Sequence, residues 1–413
     1  MPQVTKGSFV FVGGTIARDL LYPLYFSYLS LLHPMEPIHM VDLIGQHAAI
    51  ENELNAAMQR VVQTGAFVKG PEVKAFSEEL QAYTGSRFVI PCGNGTDALQ
   101  IAMMALGIGP GDEVITTGFT FISTVEVVAL LGATPVLVDV HPDTFNIQSE
   151  QVAAAITPRT KAIVPVHLFG QMADMDALLA LSEKSGIPII EDNAQAISAR
   201  WYGAEGKREN APQSGTLGLM GTTSFFPSKN LGCMGDGGAI MTNDETIARK
   251  LQQIANHGMS KRYHHDVVGL NSRLDGLQAA ILRVKLQHLD AYCAARNLAA
   301  ARYDALLKDI PGIQIPVRDV RSSHVFHQYT LQVDPARRDA LVEHMKANGI
   351  PTGVYYPVPG HRQKAFASYA FTLDAHPISD ALAACVISLP MHTELTESQQ
   401  NSICAALIKF VLQ

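Results

Sequence analysis

Phe88-Val-Ile-Pro-Cys-Gly-Asn-Gly-Thr-Asp-Ala-Leu99 joins two periodicities across one short turn. Phe88–Pro91 is a compact apolar run of strand length, whereas Asp97–Leu106 spaces its apolar residues as a helix does. The same exchange repeats along the chain. Further strand-like runs fall at Glu113–Thr117, Pro135–Val140, Ala162–His167, Ile187–Glu191, Thr222–Phe226 and Ala239–Thr242. Amphipathic stretches at Ser123–Leu131, Ser149–Ala155 and Met175–Ser185 lie between most of them. Strands alternating with helices in this way predict an α/β fold, a mainly parallel sheet covered by helices on both faces.

Upstream, Ala48–Thr64 and Pro71–Thr84 read as helices separated by the Gly65–Gly70 turn. Downstream, Leu274–Lys308 holds one long helical pattern of the kind that bridges two domains. The remainder mixes strands (Phe326–Val333, Gly353–Tyr356, Val386–Leu389) with helices (Arg338–Asn348, Glu397–Val411). The last helix opens on Thr396-Glu-Ser-Gln399, a capping-box spacing. These patterns divide the chain into an N-terminal extension over 1–37, a large domain over 38–270, and a bridging helix with a smaller C-terminal α+β domain over 271–413. Arg208–Gly215, polar with one Pro, reads as an exposed loop insertion.

The 413 residues are 47% hydrophobic and 17% charged, which suits a large buried core shared by two domains. A formal net charge of -7, with Lys and Arg scattered, argues against nucleic acid as a partner. Cys92, Cys233, Cys293, Cys385 and Cys404 stand singly without a C-x-x-C pair, which points to a reducing, cytoplasmic setting without disulfides or a zinc cage. The histidines lack ligand spacing, so no metal is assigned. Leu20–Leu32 is apolar and rich in Tyr, but Pro23 interrupts it and it is too short to span a bilayer. The residues ahead of Met35 are expected to be a tail or the result of an upstream start codon, with a membrane-surface anchor as the other reading.

Four features fall at the ends of the expected strands, where ligands of open α/β sheets sit. Gly95, Thr96 and Asp97 place backbone amides at a helix start, an arrangement that holds a phosphate; the Asp97 carboxylate would repel it, so only its N–H is assigned there. Phe121, in Thr120-Phe-Ile-Ser, offers an aromatic face for a planar cofactor. The buried run Ile187-Pro-Ile-Ile ends on Glu191-Asp192, and a carboxylate in such a place needs a cationic partner; a protonated pyridine nitrogen is one. Gln195 is within reach of the same ring. Finally, Ser224-Phe-Phe-Pro-Ser-Lys229-Asn, followed by a glycine-rich stretch, can bring a lysine to a buried site as nucleophile or base, with Ser224 adding a hydroxyl to the phosphate. Each alone has a plain structural counterpart: an N-cap turn, core packing, a capping acid, an exposed loop lysine. Their order (phosphate cup, aromatic plate, acid, serine, lysine) is what carries the reading.

That order resembles the DegT/StrS family of pyridoxal phosphate (PLP)-dependent nucleotide-sugar aminotransferases, within the fold type I superfamily. Its motifs here are Gly65-Ala-Phe-Val-Lys-Gly-Pro-Glu-Val73, Gly93-Asn-Gly-Thr-Asp-Ala98, Glu113-Val-Ile-Thr-Thr117, Gly132-Ala-Thr-Pro135, Glu191-Asp192, Ser224-Phe-Phe-Pro-Ser-Lys229, Asn271-Ser-Arg-Leu-Asp275 with Gln278-Ala-Ala280, and Tyr355-Tyr-Pro357. The resemblance implies a mainly parallel seven-stranded sheet flanked by helices. It implies Lys229 as the cofactor-bearing lysine and proton shuttle, Asp192 on the pyridine nitrogen, Phe121 and Gln195 at the ring, and Gly95, Thr96, Asp97 and Ser224 on the phosphate. Asn271 is similar to an asparagine that reaches the phosphate from a second subunit, which implies a homodimer with shared active sites.

The substrates implied are glutamate (or glutamine) and a keto nucleotide-sugar, with the C3 ketone of a UDP- or dTDP-hexose suggested by Tyr263-His-His-Asp266 and His327-Gln-Tyr329. Arg273 is a candidate for a uronate carboxylate or diphosphate, or a structural ion pair. His327 and Tyr329 are candidates for sugar contacts, with core packing as the alternative for Tyr329. Three other readings share some of these features. A dehydratase of the same family carries His where this chain has Lys229. A non-catalytic PLP-binding sensor would need no lysine chemistry. An NAD-dependent sugar dehydrogenase would need a glycine loop of which Val12-Gly-Gly14 is only a fragment.

Overall fold

The computed structural model describes residues 37–207, 210–369, 371 and 375–413, of which 38–413 pack as one unit. Leu20–Leu32, Met35, Val12-Gly-Gly14 and part of the Arg208–Gly215 loop lie outside the described residues.

Seven strands form the main sheet: β1 (Phe88–Cys92), β2 (Glu113–Thr117), β3 (Thr134–Val138), β4 (Thr160–Ile163), β5 (Ile190–Asp192), β6 (Met220–Ser224) and β7 (Gly238–Thr242). Ladders run β1-β7-β6-β5 and β3-β2-β4, and the parallel bridges Ile163–Ile189 and Val166–Asp192 join them. Pairing is parallel between β2 and both its neighbours and between β5 and β6, whereas β7 is antiparallel to β1 and β6. The mainly parallel seven-stranded sheet expected from the alternation is therefore present. β4 and β5 are each two residues shorter than expected because proline cannot donate to a ladder. Pro165 and Pro188 instead accept, from Asp192 N at 2.9 Å and Ile163 N at 3.0 Å.

Successive strand residues point to opposite faces, and the core follows that period. Val89, Ile115, Ile189 and Met241 belong to one apolar cluster, and their chain neighbours Ile90, Val114, Ile190 and Ile240 to another. Ahead of the sheet lie α1 (Leu43–Ala48) and α2 (Glu51–Thr64), the latter packing through Leu54, Ala57 and Val61 against Ala280, Ile281 and Val284. The helices covering the faces are α3 (Pro71–Thr84), α4 (Gly95–Ala105), α5 (Ser123–Leu130), α6 (Ser149–Ala155), α7 (Met175–Ser185) and α8 (Glu245–Ile254). The expected helix Ala48–Thr64 is broken, since Ala49 and Ile50 separate α1 from α2.

After the hairpin of β8 (Met259–Lys261) and β9 (His264–His265), α9 (Gly276–Leu307) runs for 32 residues, about 48 Å at 1.5 Å per residue. Its first turns pack into the main-sheet core through Ala279 and Leu282; its last turns, through Ala299, Ala300, Tyr303 and Leu307, pack into a further cluster. That cluster lies against an antiparallel sheet of β10 (Ile313–Gln314), β11 (Tyr329–Val333) and β12 (Val386–Leu389), with α10 (Arg338–Ala347), α11 (Pro377–Cys385) and α12 (Glu397–Val411). Both halves of the capping box at Thr396 and Gln399 are formed. The expected strand Gly353–Tyr356 is not: Gly353 makes one bridge to Ser388, and Pro351 and Pro357 deny donors on either side. The expected strand from Phe326 begins at Tyr329, because Phe326 has φ 46° and its amide donates to His324 Nδ1 at 3.0 Å. Among the described residues no helix is long and apolar enough to cross a membrane.

Candidate active site

Register gathers four strand ends at one edge of the sheet. Cys92 pairs with Gly238, Gly238 with Ser224, and Thr222 with Asp192. The turn after β1, the end of β6 and the end of β5 therefore open together at the carboxyl ends of parallel strands, and Lys229 follows in the loop to β7. Close approach explains two glycines here. A Cβ on Gly95 would stand 2.7 Å from Ser224 Cβ, and one on Gly238 would stand 2.4 Å from the Asn94 carbonyl oxygen.

At the start of α4, Asn94 Oδ1 accepts from the Asp97 amide at 2.8 Å. The Asp97 N–H, expected to face an anion, is instead engaged within the chain, because Asn94 is the N-cap and an N-cap takes the third helical amide. The Gly95 and Thr96 amides have no acceptor among the described residues and remain for a ligand. The Asp97 carboxylate accepts from Ser272 Oγ at 2.6 Å, and Ser272 Oγ in turn accepts from Gly93 N at 2.9 Å.

Glu191 and Asp192 are adjacent, both buried, and differently provided for. The Glu191 carboxylate accepts from the amides of Gly215, Leu217 and Gly218 at 2.7–2.8 Å and lies 2.8 Å from His167 Nε2. His167 Nδ1 accepts from Ala173 N at 3.1 Å, so Nε2 carries the hydrogen given to Glu191. Among the described residues, Asp192 accepts only from Thr124 Oγ1 at 2.7 Å and Ala194 N at 3.2 Å. Burial raises its pKa, opposed by those two donors and by Lys229 and His167.

Lys229 is half-buried, and its ammonium has no hydrogen-bond partner among the described residues. Burial pulls its pKa down to about 8, against the attraction of Asp192. Phe121, by contrast, is 52% exposed, unusual for a Phe that begins the approach to a buried helix. Its ring lies 6.2 Å from that of Tyr356. Gln195 uses both ends of its amide: Oε1 accepts from Phe169 N at 2.8 Å and Nε2 donates to the Tyr356 hydroxyl at 3.1 Å.

The outer residues divide. His327 is buried, with Nδ1 unpartnered, and burial with the charges of Lys229 and Arg296 holds its pKa well below the ordinary value. Arg273 makes no ion pair among the described residues and lines a groove of about 740 Å³ with Lys69, Lys74, Arg249 and Asn256. Asn271 is exposed, bridged to Asn256, and makes no hydrogen bond to the other candidates. Tyr329 does not belong to the site: it is fully buried beside Tyr303, and its hydroxyl donates to Asp304 at 2.9 Å. Thr124, His167 and Tyr356 were not singled out from the sequence as site residues. Only Thr124 gives a local signal, as a hydroxyl three residues after Phe121 in the first turn of α5.

A sequence model of the DegT/DnrJ/EryC1/StrS aminotransferase family matches residues 48–408. The chain belongs to that family. A Pseudomonas aeruginosa relative named UDP-2-acetamido-2-deoxy-3-oxo-D-glucuronate aminotransferase is 49% identical over 370 residues, covering 90% of this chain and 99% of the relative. UDP-N-acetyl-3-dehydro-alpha-D-glucosamine 3-aminotransferase of Acidithiobacillus ferrooxidans is 45% identical, covering 90% and 97%. Among solved structures, NtdA of Bacillus subtilis with bound cofactor PMP superposes with a TM-score of 0.84 at 29% identity, covering 92% of this chain and 87% of that one. The architecture of this DegT-family aminotransferase is accordingly that of fold type I.

Proposed function

We propose that the chain uses PLP to move an amino group from glutamate to the C3 ketone of a UDP- or dTDP-linked hexose, in amino-sugar biosynthesis. The observation that carries this reading is the placement of Lys229, poor in proton affinity and without a hydrogen-bond partner among the described residues, beside a buried, under-satisfied Asp192 at the glycine-lined edge of the sheet. The regiochemistry is supported by two relatives whose names specify a ketone at C3.

The residues present fit the cofactor. The Gly95 and Thr96 amides, the Thr96 hydroxyl and Ser224 would hold its phosphate, at a helix start where the dipole favours an anion. Asp192 would keep the pyridine nitrogen protonated, and that cation repays the carboxylate's burial. Phe121 would cover one face of the ring, with Gln195 at its side held by Phe169 and Tyr356. When bound, PLP supplies an electron-withdrawing ring that stabilises negative charge on the carbon losing its proton. Lys229 is the attachment point; its Nζ takes the proton from the glutamate Cα and in the second half-reaction returns one to the former ketone carbon. A lysine with its pKa near 8 can do both near neutral pH.

Arg273 and His327 are assigned to the sugar nucleotide, and Asn271 to the phosphate in the second subunit of a cytoplasmic homodimer; an exposed Asn271 whose side chain has no hydrogen-bond partner among the described residues supports that assignment. The domain boundary is placed near 270, ahead of α9. Lys229 also disfavours a dehydratase role. The test is turnover on a panel of 3-keto and 4-keto UDP- and dTDP-sugars with glutamate or glutamine. Preference for a 3-keto sugar with glutamate is expected, and a 4-keto preference would overturn the regiochemistry. Lys229→Ala should keep the fold and lose turnover; normal turnover would overturn the mechanism.

A further inference from the structure

A second buried lysine stands behind the loop that carries Lys229. Lys285, on α9, is 1% exposed and forms no ion pair among the described residues. Its ammonium donates to the Gly232 carbonyl at 2.9 Å and lies 3.1 Å from His47 Nε2 on α1. A buried ammonium held by one carbonyl and one ring nitrogen is costly, and burial pulls its pKa down to about 8. Leu282 and Leu289 fill neighbouring core positions of the same helix with apolar side chains. The sequence retains a charge at 285 where packing alone would accept a hydrocarbon.

What Lys285 touches gives that charge a use. The loop after β6 folds back on itself: Lys229 N donates to Phe226 O at 2.8 Å, and Cys233 N to Phe225 O at 2.8 Å. Gly232 sits at the closure, where a Cβ would stand 2.3 Å from the Pro227 carbonyl oxygen. Its carbonyl is therefore a handle on the neck of the loop whose tip is Lys229. Seven residues earlier on α9, two turns and hence the same face, Gln278 grips the next segment reciprocally. Its Oε1 accepts from Met234 N at 2.8 Å and its Nε2 donates to Met234 O at 3.1 Å. On the other side, Asn230 Nδ2 donates to Val325 O at 2.9 Å.

We infer that Lys285 is a positioning residue for Lys229: by holding the Gly232 carbonyl, it fixes the loop so that Lys229 is presented at the strand edge beside Asp192. The inference rests on the reading of Lys229 as the reacting lysine. His47 completes the clasp by accepting from the ammonium, which requires Nε2 unprotonated. The other titratable groups facing this point are the Cys233 thiol and, beyond it, Asp236. Lys285 itself touches neither substrate nor cofactor.

The test compares Lys285→Met and Lys285→Arg with the wild type, as full-length, PLP-loaded protein. Lys285→Met is expected to lower kcat about 10- to 100-fold, the cost of misplacing a reacting group by a fraction of an ångström to one, while KM changes less than about threefold. Backbone hydrogen exchange over 229–236 should quicken about tenfold, with the strands β2, β5 and β6 unchanged. Lys285→Arg, which can still donate to Gly232, should recover most of kcat. The midpoint of the kcat–pH profile that reports the free Lys229 amine during turnover should rise in Lys285→Met, because a looser loop is better hydrated. A merely structural lysine would speed exchange throughout the sheet and leave kcat per folded molecule unchanged, and that result overturns the inference. Should Lys285→Met fail to fold, Gln278→Leu and His47→Phe are expected to loosen 229–236 in the same direction, and unchanged exchange in both would overturn it. If instead Lys229→Ala retains turnover, the reading of the site fails, whereas the exchange result still reports on the clasp.

Discussion

Glu191 and Asp192 occupy neighbouring positions on one strand and face opposite sides of it, and the protein treats them in opposite ways. Glu191 receives three backbone amides and an imidazole N–H, so its buried charge is fully met from within the chain. Asp192 receives a hydroxyl and one longer amide contact, and burial raises its pKa. The difference teaches how to separate a structural acid from one held for a ligand. A carboxylate that the fold satisfies completely has nothing left to offer, whereas one that the fold desolvates and leaves under-satisfied is poised for a cation from outside.

The comparison can be broken by substitution. Asp192→Asn keeps the shape and can still accept from the Ala194 amide, with the Thr124 hydroxyl turned to accept from the new NH₂, but it removes the charge that would hold a ring nitrogen protonated. Turnover is expected to fall on the order of 10²–10³-fold with little change in thermal stability. An Asp192→Asn enzyme of near-normal activity would place the two acids in the same class. Glu191→Gln should do the reverse. Its new NH₂ would face Gly215 N–H or the His167 ring, donor against donor, at a cost of about 2–3 kcal/mol in denaturant unfolding. Activity per folded molecule should hold; a selective loss of kcat would show that Glu191 also serves the chemistry. The smallest effect is expected at Tyr329→Phe, which loses one hydrogen bond to Asp304 and about 1 kcal/mol, with KM for the sugar nucleotide unchanged. A raised KM would return Tyr329 to the site.

The contrast between the acids also marks how far the sequence was legible. Ile187-Pro-Ile-Ile-Glu-Asp announced a buried strand ending in acids, but nothing local told which acid the chain itself would satisfy. That answer comes from Gly215, Leu217, Gly218 and His167, all at least 24 residues away. The main sheet was legible because its strands are short apolar runs with clear helical partners. The small sheet was less so, since Gly353–Tyr356 has strand-like residues whose pairing is cut short by flanking prolines. Asp97 shows a similar limit. The turn was recognised, but the N-cap Asn94 takes the amide that a phosphate was expected to receive. Lys285 was invisible for a further reason: within a long helical pattern, a lysine reads as solvent-facing until tertiary packing buries it.

Lys229 remains the hinge of the account, and its role can be read directly from mass. The PLP-loaded protein would be reduced with borohydride, digested, and its peptides mapped by mass spectrometry. The account predicts a phosphopyridoxyl adduct on Lys229 alone, absent when glutamate is added before reduction. An adduct on another lysine, Lys285 included, or none at all, would contradict it.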